Sequence, residues 1–523
     1  MKYNEAMMQA DSKEWVNVKE EHDRFVKYDV FKPIKKTEVH DDAKVFTTMW
    51  AMKKKSNGTY RARLNMRGYK QVDGEHYDES SISSPVTNDS IIRVVLILMP
   101  MAMFGSHIVD VKGTFLHGEF DNGEVIYCKV PQGFEAYYDE EIYYLQLKRT
   151  AYELKQAAIM FWKELLKAMK HMGFERSWAD PCLYWKHTED GLVLWLSWID
   201  DCLCIGPKKQ VEKYVKQMKE MFDCEDVGKM VEYVGCKVEL NEDTRSIKLT
   251  QPVLLQSFQD EFQLPNRNYD TPAEPKKQLR KTIEGQEVGA NEQIKYRAGV
   301  GKMLHLMRWT RPDIWNAVRE LSRRMVNSNL DHMKAMLRVM KYCIDTRDKG
   351  WHLQPERTWN GIDKDFKFKI AGKADSNFAT CEETRRSITG YYVTVEGSVV
   401  SCKSGMQKIV ALSVTEAEVI ALVMCVQEML YVMKVLESME LQVDKPMIVQ
   451  SDNKGAVDLA NGWSVSGNTK HMEVRIMFLR ELKENGTLQV KWIPTDENEA
   501  DIFTKNVESK LFQKHVSTFC KDG

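Results

Sequence analysis

The stretch Val193-Leu194-Trp195-Leu196-Ser197-Trp198-Ile199 is almost wholly apolar, stops at Asp200-Asp201, and resumes as Cys202-Leu203-Cys204-Ile205. A buried strand that turns at two acids and returns predicts a β-hairpin carrying both carboxylates at its tip. Adjacent side chains on extended backbone point to opposite faces. One Asp would therefore face a ligand and the other solvent or a support, unless a tight turn brings both oxygens to one site. Asp-Asp is also ordinary turn chemistry, so the hairpin alone leaves the structural and functional readings open.

A third acid occurs upstream in a similar setting. His107-Ile108-Val109-Asp110-Val111 reads as a second short strand ending in a carboxylate, followed by a segment from Gly113 to Phe120 able to start a helix. Carboxylates on neighbouring strands suit hard divalent ions. Two Mg²⁺ about 4 Å apart are the arrangement of two-metal phosphoryl transfer.

At 523 residues the chain predicts two to four domains, each able to bury a core. Its 75 basic and 76 acidic residues give a net charge of −1, so any surface attracting nucleic acid must be local. Two stretches qualify: Lys53-Lys54-Lys55 with Arg61, Arg63, Arg67 and Lys70, and later Arg308, Arg311, Arg319, Arg323 and Arg324. Each also fits a plain solvated face. Eleven cysteines without a Cys-x-x-Cys pair argue against a disulfide framework or zinc knuckle and for a reducing intracellular setting. No uncharged apolar run reaches the length of a membrane span and no signal peptide opens the chain, so no membrane association is expected.

The chain resembles the reverse transcriptase and ribonuclease H portion of Ty1/copia-type retrotransposon polyproteins over nearly its whole length. The matching stretches are Arg61-Ala62-Arg63-Leu64, Ser84-Pro85-Val86, Asp110-Val111-Lys112 with Phe115-Leu116, Pro131-Gln132-Gly133-Phe134, Leu154-Lys155-Gln156 and the Asp-Asp hairpin. The resemblance implies a mixed α/β and α+β multidomain fold. A right-hand polymerase of fingers, palm and thumb would be followed by a connection segment and a ribonuclease H-like α/β domain. The expected boundaries are a helical lead-in over 1–27, reverse transcriptase over 28–264, a polar linker or mobile loop over 265–292, a helical connection over 293–365, a ribonuclease H-like domain over 366–510, and a tail over 511–523.

Within that frame Asp110, Asp200 and Asp201 become the polymerase metal ligands. Arg61 and Arg63, on one face of the second strand of a hairpin turning at Ser56-Asn57-Gly58, would grip triphosphate oxygens. Phe115 is implied as the steric gate against a ribose 2′-hydroxyl, its alternative being a core Phe. Gln132 is implied beside the incoming nucleotide, its alternative being turn polarity.

Toward the C-terminus, strands around Phe366–Asp375, Tyr391–Val395 and Val399–Ser401 precede a long helix from Thr415 to about Ser438. A strand Met447–Val449 then delivers Asp452, and Asp501 follows on an expected helix after Pro494. The family match of Thr415-Glu416-Ala417-Glu418, Ser451-Asp452-Asn453, Thr469-Lys470-His471 and Ala500-Asp501-Ile502 implies a second carboxylate site made of Asp375, Glu418, Asp452 and Asp501. Thr415-x-x-Glu418 also reads as a capping box, in which Glu418 would satisfy only a backbone donor.

The resemblance implies Mg²⁺, with Mn²⁺ as substitute, two ions per site. It implies RNA template, DNA primer, RNA–DNA hybrid and deoxynucleoside triphosphates as partners, association with other retrotransposon products, and a cytoplasmic particle with later nuclear entry. Trp198 stands where the family usually has Tyr, Glu153 where it has Gly, and Gly113-Thr114 where it has Thr-Ala. These departures keep open a decayed or domesticated copy that only binds nucleic acid, or one with nuclease activity alone. No protease triplet, zinc knuckle or integrase-like stretch is seen, so a truncated product or a fragment is expected.

Overall fold

The structure, a computed structural model, describes residues 17–54, 58, 60–120, 124–462 and 472–521. Lys55, Ser56-Asn57, Thr469-Lys470-His471 and the lead-in before Asn17 lie outside the described residues. The lead-in helix is seen as Asn17–Lys27.

The apolar run lies within a six-stranded antiparallel sheet. Its order is Cys224–Gly228, Gly105–Val111, Asp201–Gly206, Gly191–Trp198, Leu183–Thr188, Glu175–Arg176. Alternation divides the run between two faces. Leu192, Leu194 and Leu196 pack with helix Asp89–Ala102, whereas Val193 and Trp195 pack with helices Ala157–His171 and Lys208–Met221. Helices on both sides explain why these strands are continuously apolar rather than alternating.

Thr48–Lys54 pairs with Tyr60–Met66 as the expected hairpin, while Val45–Phe46 joins a separate four-stranded sheet. Helix Asn17–Lys27 lies on Tyr60–Met66, where buried Glu21 accepts the Leu64 amide at 3.0 Å.

Residues 265–289 carry no helix or named strand, yet this segment is fastened along its length. Arg338 donates to Thr271 Oγ1 at 3.0 Å, Thr282 Oγ1 to Asn327 O at 2.7 Å, Arg324 to Leu279 O at 2.8 Å, and the Lys276 amide to Asn506 O at 2.9 Å. Helices Ala290–Trp309, Trp315–Ser322 and Leu330–Asp345 follow. The stretch expected as a helical connection ends in a strand, Gly350–Leu353, paired on one side with Ser246–Thr250 and on the other with Cys520–Lys521. The expected tail therefore contributes the last strand of a five-stranded sheet; two paired residues are too short to leave a period in sequence.

A second five-stranded sheet has the order Ser398–Met406, Ile388–Val395, Ile370–Asn377, Met447–Ser451, Leu488–Trp492. The first three strands are antiparallel, and the last two run parallel to Ile370–Asn377. Helix Val414–Glu437 covers it. This helix is long and apolar enough to cross a membrane, but most of it is buried in the protein. One apolar core runs from helix Asp89–Ala102 through the intervening helices into this domain, so the two halves are docked rather than merely strung together.

Candidate metal centres

At the hairpin tip Trp198 pairs with Asp201, leaving Ile199 and Asp200 as a two-residue turn. Ile199 has φ 57°, the left-handed value that a II′ turn requires at its first central position. Asp201 lies directly opposite Asp110 on the adjoining strand, and the Val111 amide donates to Asp200 O at 3.1 Å. Burial, then the Asp200 and Asp110 carboxylates, push the Asp201 carboxyl up to about 6. Burial, then Asp200 and Glu225, raise Asp110.

A cavity of about 470 Å³ opens beside this turn, and Asp110, Asp200, Arg61, Arg63 and Phe115 all line it. Residues from five separate stretches of sequence meet there. Arg63 lies 5.1 Å from the Tyr152 ring centroid, its buried Nε has no hydrogen-bond partner, and Phe115 meets the same ring edge-on at 6.1 Å. Asp201 flanks the cavity without lining it.

Gln132 stands apart. Its side chain is exposed outside the cavity, and its backbone carbonyl accepts the Trp50 indole N–H at 2.8 Å. Gln132, expected beside the incoming nucleotide, lies in the turn after Pro131, next to the hairpin strand Thr48–Lys54. Sequence reading also missed Glu225, which pairs across from Asp110, and Tyr152 and Arg24, which line the cavity. Only the strand register reveals Glu225. Tyr152 precedes the Leu154-Lys155-Gln156 motif and could have been weighed with it.

The later basic stretch is largely internal. Arg311 is buried against Asp313, Arg324 reaches Glu383 at 2.6 Å, Arg308 reaches Asp89 at 3.2 Å, and Arg323 donates to Cys381 Sγ. As an open cationic surface that expectation is corrected. Asp313 lies two residues from Arg311, whereas the carboxylates that engage Arg324 and Arg308 are distant in sequence.

The second centre is tighter. Asp375, Asp452 and Asp501 bring carboxylate oxygens within 4.8 Å of one another, a convergence that Asp110, Asp200 and Asp201 do not match among the described residues. Asp375 lies near the end of Ile370–Asn377 and Asp452 just beyond the parallel neighbour Met447–Ser451, so the topology delivers both to one edge. Asp501 sits on a 3₁₀ turn, Glu499–Phe503, rather than an α-helix. Asn498 caps that turn, and its Nδ2 donates to Asp452 Oδ1 at 3.3 Å and to Ala374 O at 3.0 Å.

Glu418 is not the capping residue. Ser413 is the N-cap, accepting the Glu416 amide at 3.1 Å, while Glu416 accepts the Leu412 amide at 2.5 Å. Glu418 instead accepts from Ser376 N at 3.2 Å and Ser376 Oγ at 2.9 Å through Oε1, leaving buried Oε2 without a partner.

Burial, then the Asp501 and Glu418 carboxylates, hold Asp375 well above the usual carboxylate range. Burial also pushes Glu418 up to about 8 despite the Ser376 hydrogen bonds. Burial raises Asp501 against the opposing pull of Lys505, whose Nζ lies 2.7 Å from Asp501 Oδ1. The Thr504 hydroxyl donates to Asp375. Lys505 went unremarked in the sequence, although an acid and a lysine at i,i+4 are a legible pair. An all-oxygen donor set with an orphaned buried carboxylate oxygen and mutually repelling acids fits a hard divalent cation.

The family model for reverse transcriptase (RNA-dependent DNA polymerase) matches residues 28–275. The chain is 31% identical over 477 residues to the retrovirus-related Pol polyprotein from transposon TNT 1-94 of Nicotiana tabacum, covering 89% of this chain and 35% of that protein. It spans about a third of the length of the curated Pol polyproteins it matches first. Among solved structures, the prototype foamy virus protease-reverse transcriptase is similar at 11% identity over 93% of this chain and 54% of that one, with a TM-score of 0.27. LC11-RNase H1 in complex with an RNA/DNA hybrid is similar at 18% identity over 27% of this chain and 98% of that one, with a TM-score of 0.21. The chain thus carries a reverse transcriptase domain over residues 28–275 and is similar along most of its length to the Pol polyproteins of retrotransposons.

Proposed function

We propose that the chain is an RNA-directed DNA polymerase with an attached ribonuclease H. The observation that supports this most is the single cavity joining Asp110 and Asp200 to Arg61, Arg63 and Phe115. Asp110 and Asp200, flanked by Asp201, would hold Mg²⁺, or Mn²⁺ in its place; Asp375, Glu418, Asp452 and Asp501 would hold it in the second centre. Two ions bound at the first centre would supply Lewis-acid activation of a primer 3′-hydroxyl and neutralise the leaving pyrophosphate.

The side chains divide the remaining work. Arg61 and Arg63 bind triphosphate oxygens through charge-assisted hydrogen bonds. Phe115, braced edge-on by Tyr152, fills the space that a 2′-hydroxyl would need. At the second centre, Asn498 orients Asp452 toward Asp375 and Asp501, and Ser376 fixes Glu418 through Oε1.

The substrates proposed are an RNA template, a DNA primer, deoxynucleoside triphosphates and the RNA–DNA hybrid they yield. Other products of the same element, in a cytoplasmic particle that later reaches the nucleus, are the proposed setting. A second reading, nuclease activity alone, is favoured by the tighter convergence of the second cluster and by Trp198 at the first.

Primer extension on an RNA template separates the two. Asp200→Asn removes a ligand that stabilises developing charge, and a loss of about 4 kcal/mol slows extension about a thousandfold. Extension at the unsubstituted rate by folded Asp200→Asn protein, or no extension by the unsubstituted chain, would sink the polymerase assignment.

A further inference from the structure

The lead-in helix Asn17–Lys27 forms one wall of the cavity at the first centre. Glu21 and Arg24, three residues apart, lie on one face of it. Glu21 is wholly buried and both its oxygens are engaged: Oε1 accepts the Leu64 amide at 3.0 Å, and Oε2 accepts Arg24 Nη1 at 2.5 Å. Leu64 follows Arg63 on strand Tyr60–Met66. One buried acid therefore ties together the helix, the strand that carries Arg61 and Arg63, and the Arg24 guanidinium.

The ion pair is lopsided. The Glu21 side chain is 0% exposed and that of Arg24 37%, so the carboxylate stands behind and the guanidinium in front, on the cavity that Asp110 and Asp200 also line. A guanidinium carries five N–H donors in a planar fork. Glu21 and the Tyr152 hydroxyl engage only part of that fork, which leaves donors for a ligand. Glu20 of the same turn also lines the cavity, but its carboxylate takes the Asn17 side-chain amide at 2.7 Å.

The loop after Asp110 is shaped to receive the helix. Gly113 has φ 62°, and a Cβ there would lie 2.8 Å from Tyr28 Cε2 and 3.5 Å from Arg24 Cδ. With no side chain at that position, the helix closes directly onto the loop, and Arg24 reaches the cavity beside Asp110.

We infer that Arg24 is a further cation for the triphosphate of the incoming nucleotide, beside Arg61 and Arg63, and that Glu21 is the positioning residue that presents it. The inference rests on the first centre being the polymerase site. Guanidinia then converge on one polyanion from two elements, the hairpin and the helix, each by charge-assisted hydrogen bonds. The triphosphate is favoured over a template phosphodiester because Arg24 shares its cavity with the carboxylates at which that triphosphate would be held.

The test uses the full chain and a probe that needs no turnover, inorganic tripolyphosphate titrated by calorimetry in buffer containing Mg²⁺. Arg24→Gln removes the charge but keeps an amide able to donate to Glu21. It should weaken tripolyphosphate about tenfold, and Arg24→Lys by less than about threefold. In primer extension Arg24→Gln should raise KM for the deoxynucleotide about tenfold, with kcat within about threefold and KM for primer–template unchanged. Melting curves identify a variant that fails to fold. In that case Glu21→Gln is added, which also removes the buried carboxylate charge, and the pair is measured in the same way.

Tripolyphosphate affinity unchanged in folded Arg24→Gln protein, or no tripolyphosphate binding by the unsubstituted chain, would overturn the inference. So would a KM that rises for primer–template and not for deoxynucleotide, which would give Arg24 to the nucleic-acid backbone. Arg24-dependent tripolyphosphate binding by a chain that extends no primer would instead leave the anion site standing and remove the polymerase reading.

Discussion

Glu153 holds φ 68°, a left-handed conformation in which a Cβ is crowded, and its carbonyl oxygen lies 1.9 Å from where a Cβ on Gly68 would be. The family's usual Gly at this position has a local backbone reason: φ > 0 strains an L-residue by about 1–2 kcal/mol. Glu153→Gly should relieve that strain against about 0.5–1 kcal/mol of added freedom in the unfolded chain. A net gain of about 0.5–1 kcal/mol in urea unfolding is expected; a clear loss would mean the Glu153 side chain makes a contact that matters. Phe115 is the other residue whose role turns on one ring. It is half-buried, braced by Tyr152 and open to the cavity, so Phe115→Ala should admit ribonucleotides. Removing the clash is worth about 1–3 kcal/mol, a shift of tenfold or more in the ribo-to-deoxyribo insertion ratio. An unchanged ratio would return Phe115 to a packing role.

Helix starts and strand ends were legible where the signal is local, and opaque where it is not. The Asp-Asp hairpin, the helix beginning near Thr415 and the strand delivering Asp452 each follow from a short periodic run with a polar stop, and each is present. Glu225 matters through cross-strand register, which no window of periodicity encodes, whereas the Asp501–Lys505 spacing is local and was legible. The same limit hid the role of Arg311-Pro312-Asp313. Both charged residues are buried, Arg311 donates to Asp313 at 2.9 and 2.8 Å, and the Tyr342 hydroxyl adds a bond at 2.8 Å. This corner fixes the turn between helices Ala290–Trp309 and Trp315–Ser322 against helix Leu330–Asp345. Burial alone would raise the Asp313 carboxyl, but Arg311 and the hydrogen bonds outweigh it and hold it below its ordinary value. A depressed folded value gives stability that is present above the unfolded pKa of about 3.9 and lost as pH falls through the lower folded one. Asp313→Asn, which strands the buried guanidinium, should cost about 3–5 kcal/mol. In urea unfolding that cost should hold between about pH 5 and 7 and shrink only below about pH 4. A cost below 1 kcal/mol at neutral pH would contradict the corner's structural role.

Across the whole molecule, the two centres sit on sheets that share one core through helix Asp89–Ala102. Arg93 of that helix donates to Val400 O of the second domain at 3.2 Å and lies 3.6 Å from the Trp351 ring centroid. The second domain is thus held in a set orientation on the first, which the sequence, read as domains joined by a linker, did not convey. Mutual repulsion among the second-centre acids also makes that domain sensitive to its cation. A divalent ion at about 100 times its dissociation constant should stabilise the fold by about 2.7 kcal/mol. Asp452→Asn should abolish that gain and, without added metal, raise the melting temperature by relieving like-charge repulsion. Equal Mg²⁺-induced shifts in both proteins would place the ion elsewhere. The proposed polymerase and ribonuclease centres are chemically separate. Primer extension and RNA cleavage followed together on one doubly labelled RNA–DNA hybrid with Asp452→Asn protein should show extension within about twofold of the unsubstituted rate and cleavage reduced about a thousandfold. Continued cleavage, or parallel loss of extension in a folded protein, would show that the two centres are not separate or that Asp452 serves neither.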